Sequence, residues 1–161
     1  MRFLPVCLGV IVLAVLGGCD VDNSCRPACD PCATDRIIMF DDPASIDIDT
    51  DPVQVLEAVV AGNTLHLRVE YGGGCREHEF RLYGSSGFME SLPVQAALFL
   101  SHDANDDHCD ALVFQDLYFD LVPLRDAYLK GYKDDGPIVL CILEPGSTTA
   151  LDPKPVYRFC R

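Results

Sequence analysis

Strict alternation of apolar and polar side chains in Leu65-His66-Leu67-Arg68-Val69-Glu70-Tyr71 constrains this chain more than any other stretch. Successive side chains of a strand point to opposite faces, so Leu65, Leu67, Val69 and Tyr71 share one face and His66, Arg68 and Glu70 the other. A strand with one face buried and one wet accounts for that pattern. Gly62-Asn63, just before it and after the apolar run Val53 to Ala61, reads as a hairpin turn, because both residues tolerate positive φ. Further runs at His78 to Tyr83, Val94 to His102, Ala111 to Leu121, Pro137 to Glu144 and Val156 to Cys160 are separated by Gly, Pro, Asn and Asp, which makes about seven strands. Pro123 to Tyr132 alone predicts a helix: it opens on Pro, whose missing N–H is harmless there, and sets Leu124, Tyr128, Leu129 and Tyr132 at helical spacing. Together these elements predict an all-β fold, an antiparallel two-sheet sandwich, immunoglobulin-like in outline, with one short helix near 123–132.

The amino terminus follows different rules. Arg2, the apolar stretch Phe3 to Leu16 and the small pair Gly17-Gly18 form the three parts of an export signal. An apolar run of 14 residues is shorter than the roughly 20 a membrane-crossing helix needs, and no second long apolar stretch follows. Leu16-Gly17-Gly18-Cys19 resembles the lipobox of bacterial lipoprotein precursors. The resemblance implies cleavage before Cys19, a diacylglyceryl group on its thiol, and usually a fatty acyl chain such as palmitate on the new amino terminus. It implies a bacterial cell-envelope protein, extracytoplasmic and membrane-anchored through Cys19. Asp20 resembles the inner-membrane retention signal of some such proteins, but inner and outer membrane both stay open. The expected organisation is a signal peptide over 1–18, a Cys/Pro/Asp-rich tether over 19–43 and a sandwich domain over 44–161.

Charge narrows the partners. Loss of Arg2 with the signal takes the formal charge from −13 to about −14, which disfavours nucleic acid and anionic head groups and leaves divalent cations as candidates. After Cys19 come Cys25, Cys29, Cys32, Cys75, Cys109, Cys141 and Cys160, an odd number, so at least one thiol is left over. In an oxidising compartment these are disulfide candidates first. Cys25-x3-Cys29-x2-Cys32 has the spacing of a radical SAM cluster motif, yet a short exported chain offers neither the barrel nor the reducing conditions, and a disulfide within the triplet, or from it to the domain, is the expectation. Cys141 and Cys160 sit in the two last strands, where a cross-strand or intersheet bond is expected.

The chemistry-bearing residues gather near two other cysteines. In Gly72-Gly73-Gly74-Cys75-x2-His78, the glycines allow positive φ or close backbone approach. Strand parity puts His78 with Phe80 and Leu82, and His102 with Val94, Ala96, Leu98 and Leu100, so both imidazoles face inward. A bond between Cys75 and Cys109, if formed, would draw the two histidines to one end of the sandwich. There they would be satisfied by hydrogen bonds to loop backbone, or they would hold zinc or copper with Asp103 or Asp107. Asp103-x-Asn105-x-Asp107 also begins like a calcium loop, but His108 and Phe114 stand where an EF-hand needs Gly and Glu, which favours an Asx-rich turn over a bound Ca ion. Asp47-Ile48-Asp49-Thr50-Asp51 reads as an edge strand with an acidic face.

The sequence has no Gly-x-Ser-x-Gly elbow, phosphate loop, His-Glu-x2-His or dinucleotide fingerprint, and no Trp. Residues 65 to 144, with Gly-Gly-Gly-Cys-x2-His followed by His-Asp-x-Asn-x-Asp-x-Cys-Asp-Ala, look like small uncharacterised exported bacterial lipoproteins. That resemblance implies no activity and lends support to a Cys75 to Cys109 pairing. The expectation is a tethered β-sandwich that meets a protein or small-molecule partner by binding or structural interaction; the alternative is a small metal-dependent enzyme using His78 and His102.

Overall fold

A computed structural model describes residues 35 to 159. The alternating stretch lies in strand β4 (Thr64–Gly73), where Leu65, Leu67, Val69 and Tyr71 are buried and Arg68 is exposed. Around it the chain forms β1 (Asp35–Arg36), β2 (Ile38–Phe40), β3 (Gln54–Ala61), β5 (Glu79–Ser85), β6 (Val94–Asp103), β7 (Ala111–Asp120), helix α1 (Val122–Gly131), β8 (Ile138–Leu143) and β9 (Val156–Tyr157). Gly62 turns β3 into β4 with φ +58°.

Two sheets face one another. The first has the order β1-β7-β4-β3 and the second β2-β5-β6-β8-β9. Leu65, Leu67, Val69 and Phe119 of the first meet Leu82, Leu98, Leu100, Ile138, Leu140 and Ile142 of the second, and all are at most 1% exposed. Burying a side chain of this size stabilises by about 1.5–3 kcal/mol, so this inner layer is the main source of cohesion. Helix α1 carries the chain from β7 in one sheet to β8 in the other and buries Leu124 and Tyr128 against the core.

Among the described residues the sandwich is all-β with nine strands, but its sheets are mixed. β1 runs parallel to β7, β2 to β5, and β6 to β8. Alternation reveals which side chains share a face and is silent on which strand lies alongside, so the parallel pairs could not be read from it. The boundary placed at residue 43 also moves. Residues 35–40 are built into the sandwich: β1 joins one sheet, β2 the other, and Ile37 between them is 3% exposed, with its N–H donating to the Asp120 carbonyl at 3.2 Å. Ile37 to Phe40 is a short apolar run inside the Cys/Pro/Asp-rich stretch, which is why the chain folds in here.

Two further expectations change. Residues 47–51 make a single bridge, Thr50 to His102, and not a strand. Cys141 is a free, buried thiol lying 3.1 Å from the Gln95 Oε1, so the expected bond between Cys141 and Cys160 is not formed. The register explains it: β9 pairs antiparallel with β8 through Ile138 to Tyr157 and Val139 to Val156, so the chain beyond Tyr157 heads away from Cys141. Cys160 itself, with Cys19, Cys25, Cys29 and Cys32, lies outside the described residues.

Candidate functional site

Strand β4 ends in the glycines that set up the site. Gly73 and Gly74 have φ of +150° and +105°, a region that L side chains rarely adopt. A Cβ on Gly73 would lie 2.6 Å from the His78 Nε2 and 3.0 Å from the Asp107 Oδ2, so only glycine lets the two groups lie against the strand end. The chain then bends into Cys75, which is disulfide-bonded to Cys109 with a Cα–Cα distance of 5.9 Å. This joins the loop before β5 to the loop between β6 and β7.

Asp107 organises the space beneath that bond. Its Oδ2 accepts from the N–H groups of Cys75 at 2.8 Å and Arg76 at 2.9 Å, and its Oδ1 accepts from the N–H of Cys109 at 2.9 Å. The carboxylate side chain is 1% exposed and also faces the His78 Nε2 at 3.3 Å. The N–H of Cys109 above all, then those of Arg76 and Cys75 and the His78 contact, hold its pKa well below the usual carboxylate range against the opposing effect of desolvation. The carboxylate thus serves as a capping anion for the loops that the disulfide connects.

A line of hydrogen bonds runs inward from Asp107. The His78 Nδ1 faces the His102 Nε2 at 2.8 Å, and the His102 Nδ1 faces the Asp51 carbonyl at 3.2 Å. Both ends of the line only accept, so its three bonds form together only when the two rings hold three protons between them. Burial, above all, lowers the His102 pKa, and nearby His78 adds to this, while the Asp51 carbonyl opposes it. Phe80 stacks on His102 at 4.5 Å and 3°, and Tyr71 lies 4.5 Å from His78. Tyr71 is itself raised in pKa by burial and by Asp107, and its hydroxyl donates to the Gln115 Oε1 at 2.7 Å.

The residues singled out by sequence divide clearly. His78, His102 and Asp107 come together; Asp103 and Asn105 do not join them. The Asp103 Oδ1 accepts from the Asn105 N–H at 2.8 Å, and the Asn105 amide donates to the Glu77 carbonyl at 2.7 Å. Asn105 and Asp106 take φ of +52° and +53°, so this stretch is a turn closed by its own polar groups, and the oxygens that a calcium loop would aim at one point are aimed at backbone. Cys75, Cys109 and Asp107 do place two sulfurs and a carboxylate oxygen together, but the sulfurs are bonded to each other and offer no thiolate.

Asp51 is the partner that sequence reasoning missed. The His102 N–H donates to the Asp49 carbonyl at 3.1 Å, and the Asp51 N–H to the His102 carbonyl at 3.1 Å, so the acidic segment runs beside the end of β6 and closes the site from that side. The Asp51 Oδ2 accepts from the Ala104 N–H at 2.7 Å. The alternation that suggested an edge strand marks these contacts.

Beside the buried line lies a groove of ≈ 490 Å³ between the edges of β5 and β7, lined by Glu77, His78, Phe80, Gln115 and Leu117 among others. His78 shows the groove its ring but no spare nitrogen. Both nitrogens of each ring and both Asp107 oxygens have partners within the fold.

No family model matches the chain, and no curated protein matches it. Solved structures share the fold. A NigD-like immunity protein from Bacteroides caccae superposes with a TM-score of 0.57 at 20% identity, over 78% of this chain and 64% of its own. A protein described as a candidate toxin-related protein, from Parabacteroides distasonis, gives 0.55 at 21% identity, over 78% of this chain and 61% of its own. A candidate lipoprotein from Bacteroides fragilis gives 0.55 at 14% identity, over 78% and 68%. The chain thus spans less than two thirds of the first two, and at these identities what it shares with all three is the arrangement of the sandwich.

Proposed function

We propose that this protein is a membrane-tethered, extracytoplasmic lipoprotein that acts by binding a partner, and that its buried histidine cluster pins the end loops of the binding domain in place. The observation that carries the reading is the closed line Asp107, His78, His102, Asp51: every ring nitrogen and both Asp107 oxygens are spent inside the fold, which suits a structural pin and disfavours a metal or reaction centre. The lipobox at Leu16 to Cys19 supports the tether, and the fold shared with a candidate lipoprotein and with an immunity protein is in keeping with an envelope-held interaction domain.

Two arms of one experiment test it. Cells given tritiated palmitate are expected to label the wild-type chain and not Cys19→Ala, and the variant is expected to leave the membrane fraction; label or membrane retention without Cys19 overturns the tether. Calorimetric titration of the purified protein with zinc or copper is expected to give the same heat for wild type and for the His78→Ala, His102→Ala double variant. Heat at micromolar metal that the double variant loses would replace this reading with the metal-dependent one.

A further inference from the structure

Sheet edges are templates for another strand, and soluble proteins blunt them with bulges, charges, short strands or cover. Three of the edges here are blunted. β3 is bulged between Val55 and Glu57, β9 is two residues long, and β5 has β2 along Tyr83–Ser85 and the charges Glu79 and Arg81 on the rest. β7 is the least blunted: it is long and unbulged, with β1 along its last two residues only. Among the described residues its outer edge is paired only at Phe119 and Asp120, by β1, and Ala111 to Tyr118 have no neighbour on that side. Its ladder with β4 runs unbroken from Ala111 to Asp120, and the stretch contains no Pro, Lys or Arg. The one charge between Ala111 and Tyr118, Asp116, meets the His66 Nε2 at 2.8 Å, and Asp120 is paired with Arg36.

The two faces of this edge differ. On the outer face, Leu112 is 61% exposed and Phe114 52% exposed. On the inner face, Gln115 and Leu117 border the groove, whose rim carries Asp35, Glu77 and Glu79 against Arg36 and Arg81. Arg36 is paired with Asp120 and Arg81 with Glu79, so among the described residues Asp35 and Glu77 are left without a cation.

We propose that the free edge of β7 is the docking site for an extended segment of a basic partner polypeptide, which adds as a strand with apolar side chains over Leu112 and Phe114 and Lys or Arg side chains reaching into the groove toward Glu77 and Asp35. Residues paired across a ladder share a face, so a bound strand alternates between the two environments, and alternating apolar and basic residues match both. The long Lys or Arg stem covers Leu117 and Phe80 while its head meets the carboxylates. The charge of −13 on the chain favours the same partner at longer range. This deepens the binding reading above and rests on it.

The probe is a fluorescein-labelled peptide of four Lys-Val repeats, added to the exported chain purified in detergent and followed by fluorescence anisotropy. A second peptide, with Pro in place of each Val, keeps the charge and cannot form a ladder. The expected result is binding of the Lys-Val peptide that weakens at least tenfold with the Pro peptide, with Leu112→Lys plus Phe114→Lys, and with Asp35→Asn plus Glu77→Gln. Melting curves confirm that the variants fold, and the two pairs lie on opposite faces, so one can stand if the other fails. Hydrogen exchange is expected to slow at the unpaired amides between Ala111 and Tyr118 when peptide is added. Three results overturn the proposal: no binding, equal binding of the Pro peptide, or amides at 111–118 already protected without peptide. In the last case light scattering assigns the occupant, a dimer meaning a second copy and a monomer meaning the chain's own upstream segment. The binding reading is judged separately, by the metal titration, and stands if the edge alone fails.

Discussion

Asp107 shows how one side chain can organise an end of a domain. A buried carboxylate is costly unless its lone pairs are filled, and here loop N–H groups brought round by the Cys75 to Cys109 bond fill them. The consequence is a dependence on pH with a definite sign. A carboxylate whose pKa is depressed on folding contributes stability that is complete above its unfolded value of ~3.9 and is lost as pH falls through the folded value. His102, lowered by burial, contributes stability that is present above ~6.5 and declines as pH falls below it. Thermal melts followed downward in pH are therefore expected to fall in two stages, and Asp107→Asn is expected to lose the lower one. A variant whose melting temperature tracks the wild type in parallel below pH 4 would show that Asp107 is not the group responsible.

At the scale of elements, the first two strands test how the sandwich is closed. β1 and β2 are short, yet Ile37 and Phe40 are 3% and 6% exposed: Ile37 joins the core between the sheets, and Phe40, paired with Ser85, packs on the opposite face of its sheet against Phe99 at 5.8 Å. Burial of two such side chains is worth about 3–6 kcal/mol, an upper figure because the unfolded chain is itself partly collapsed. A chain begun at Asp41 is expected to be less stable by that order than one begun at Asp35, read from urea unfolding; equal midpoints would mean that residues 35–40 only rest on the sandwich. The helix shows the opposite balance of sequence and context. Its spacing of Leu124, Tyr128 and Tyr132 was plain from the sequence, and in the fold Tyr128 and Tyr132 stack at 4.5 Å and 8°.

For the whole molecule, what could be read in advance follows from the range of the forces involved. The inward faces of β4 and β6 were legible because alternation is a local pattern, and His78 and His102 were placed on the buried side by the same parity. Their partners were not legible. Asp51 meets His102 across 51 residues and Asp107 meets His78 across 29, and nothing local announces either contact. The free edge of β7 was hidden for the same reason, since an edge is defined by the strand that fails to lie beside it. The parallel pairs depend on how α1 and residues 35–40 pass between the sheets, which is settled by the packing of all the layers together.

That passage between the sheets has a mechanical meaning. The chain enters the domain at β1, crosses through Ile37 and continues as β2, parallel to β7 and then to β5. A pull applied at Asp35 along the chain would run along these strands and load their ladders in shear, against the buried side chains of Ile37 and Phe40. Such tension would reach both layers at the point of entry, one sheet through β1 and the other through β2.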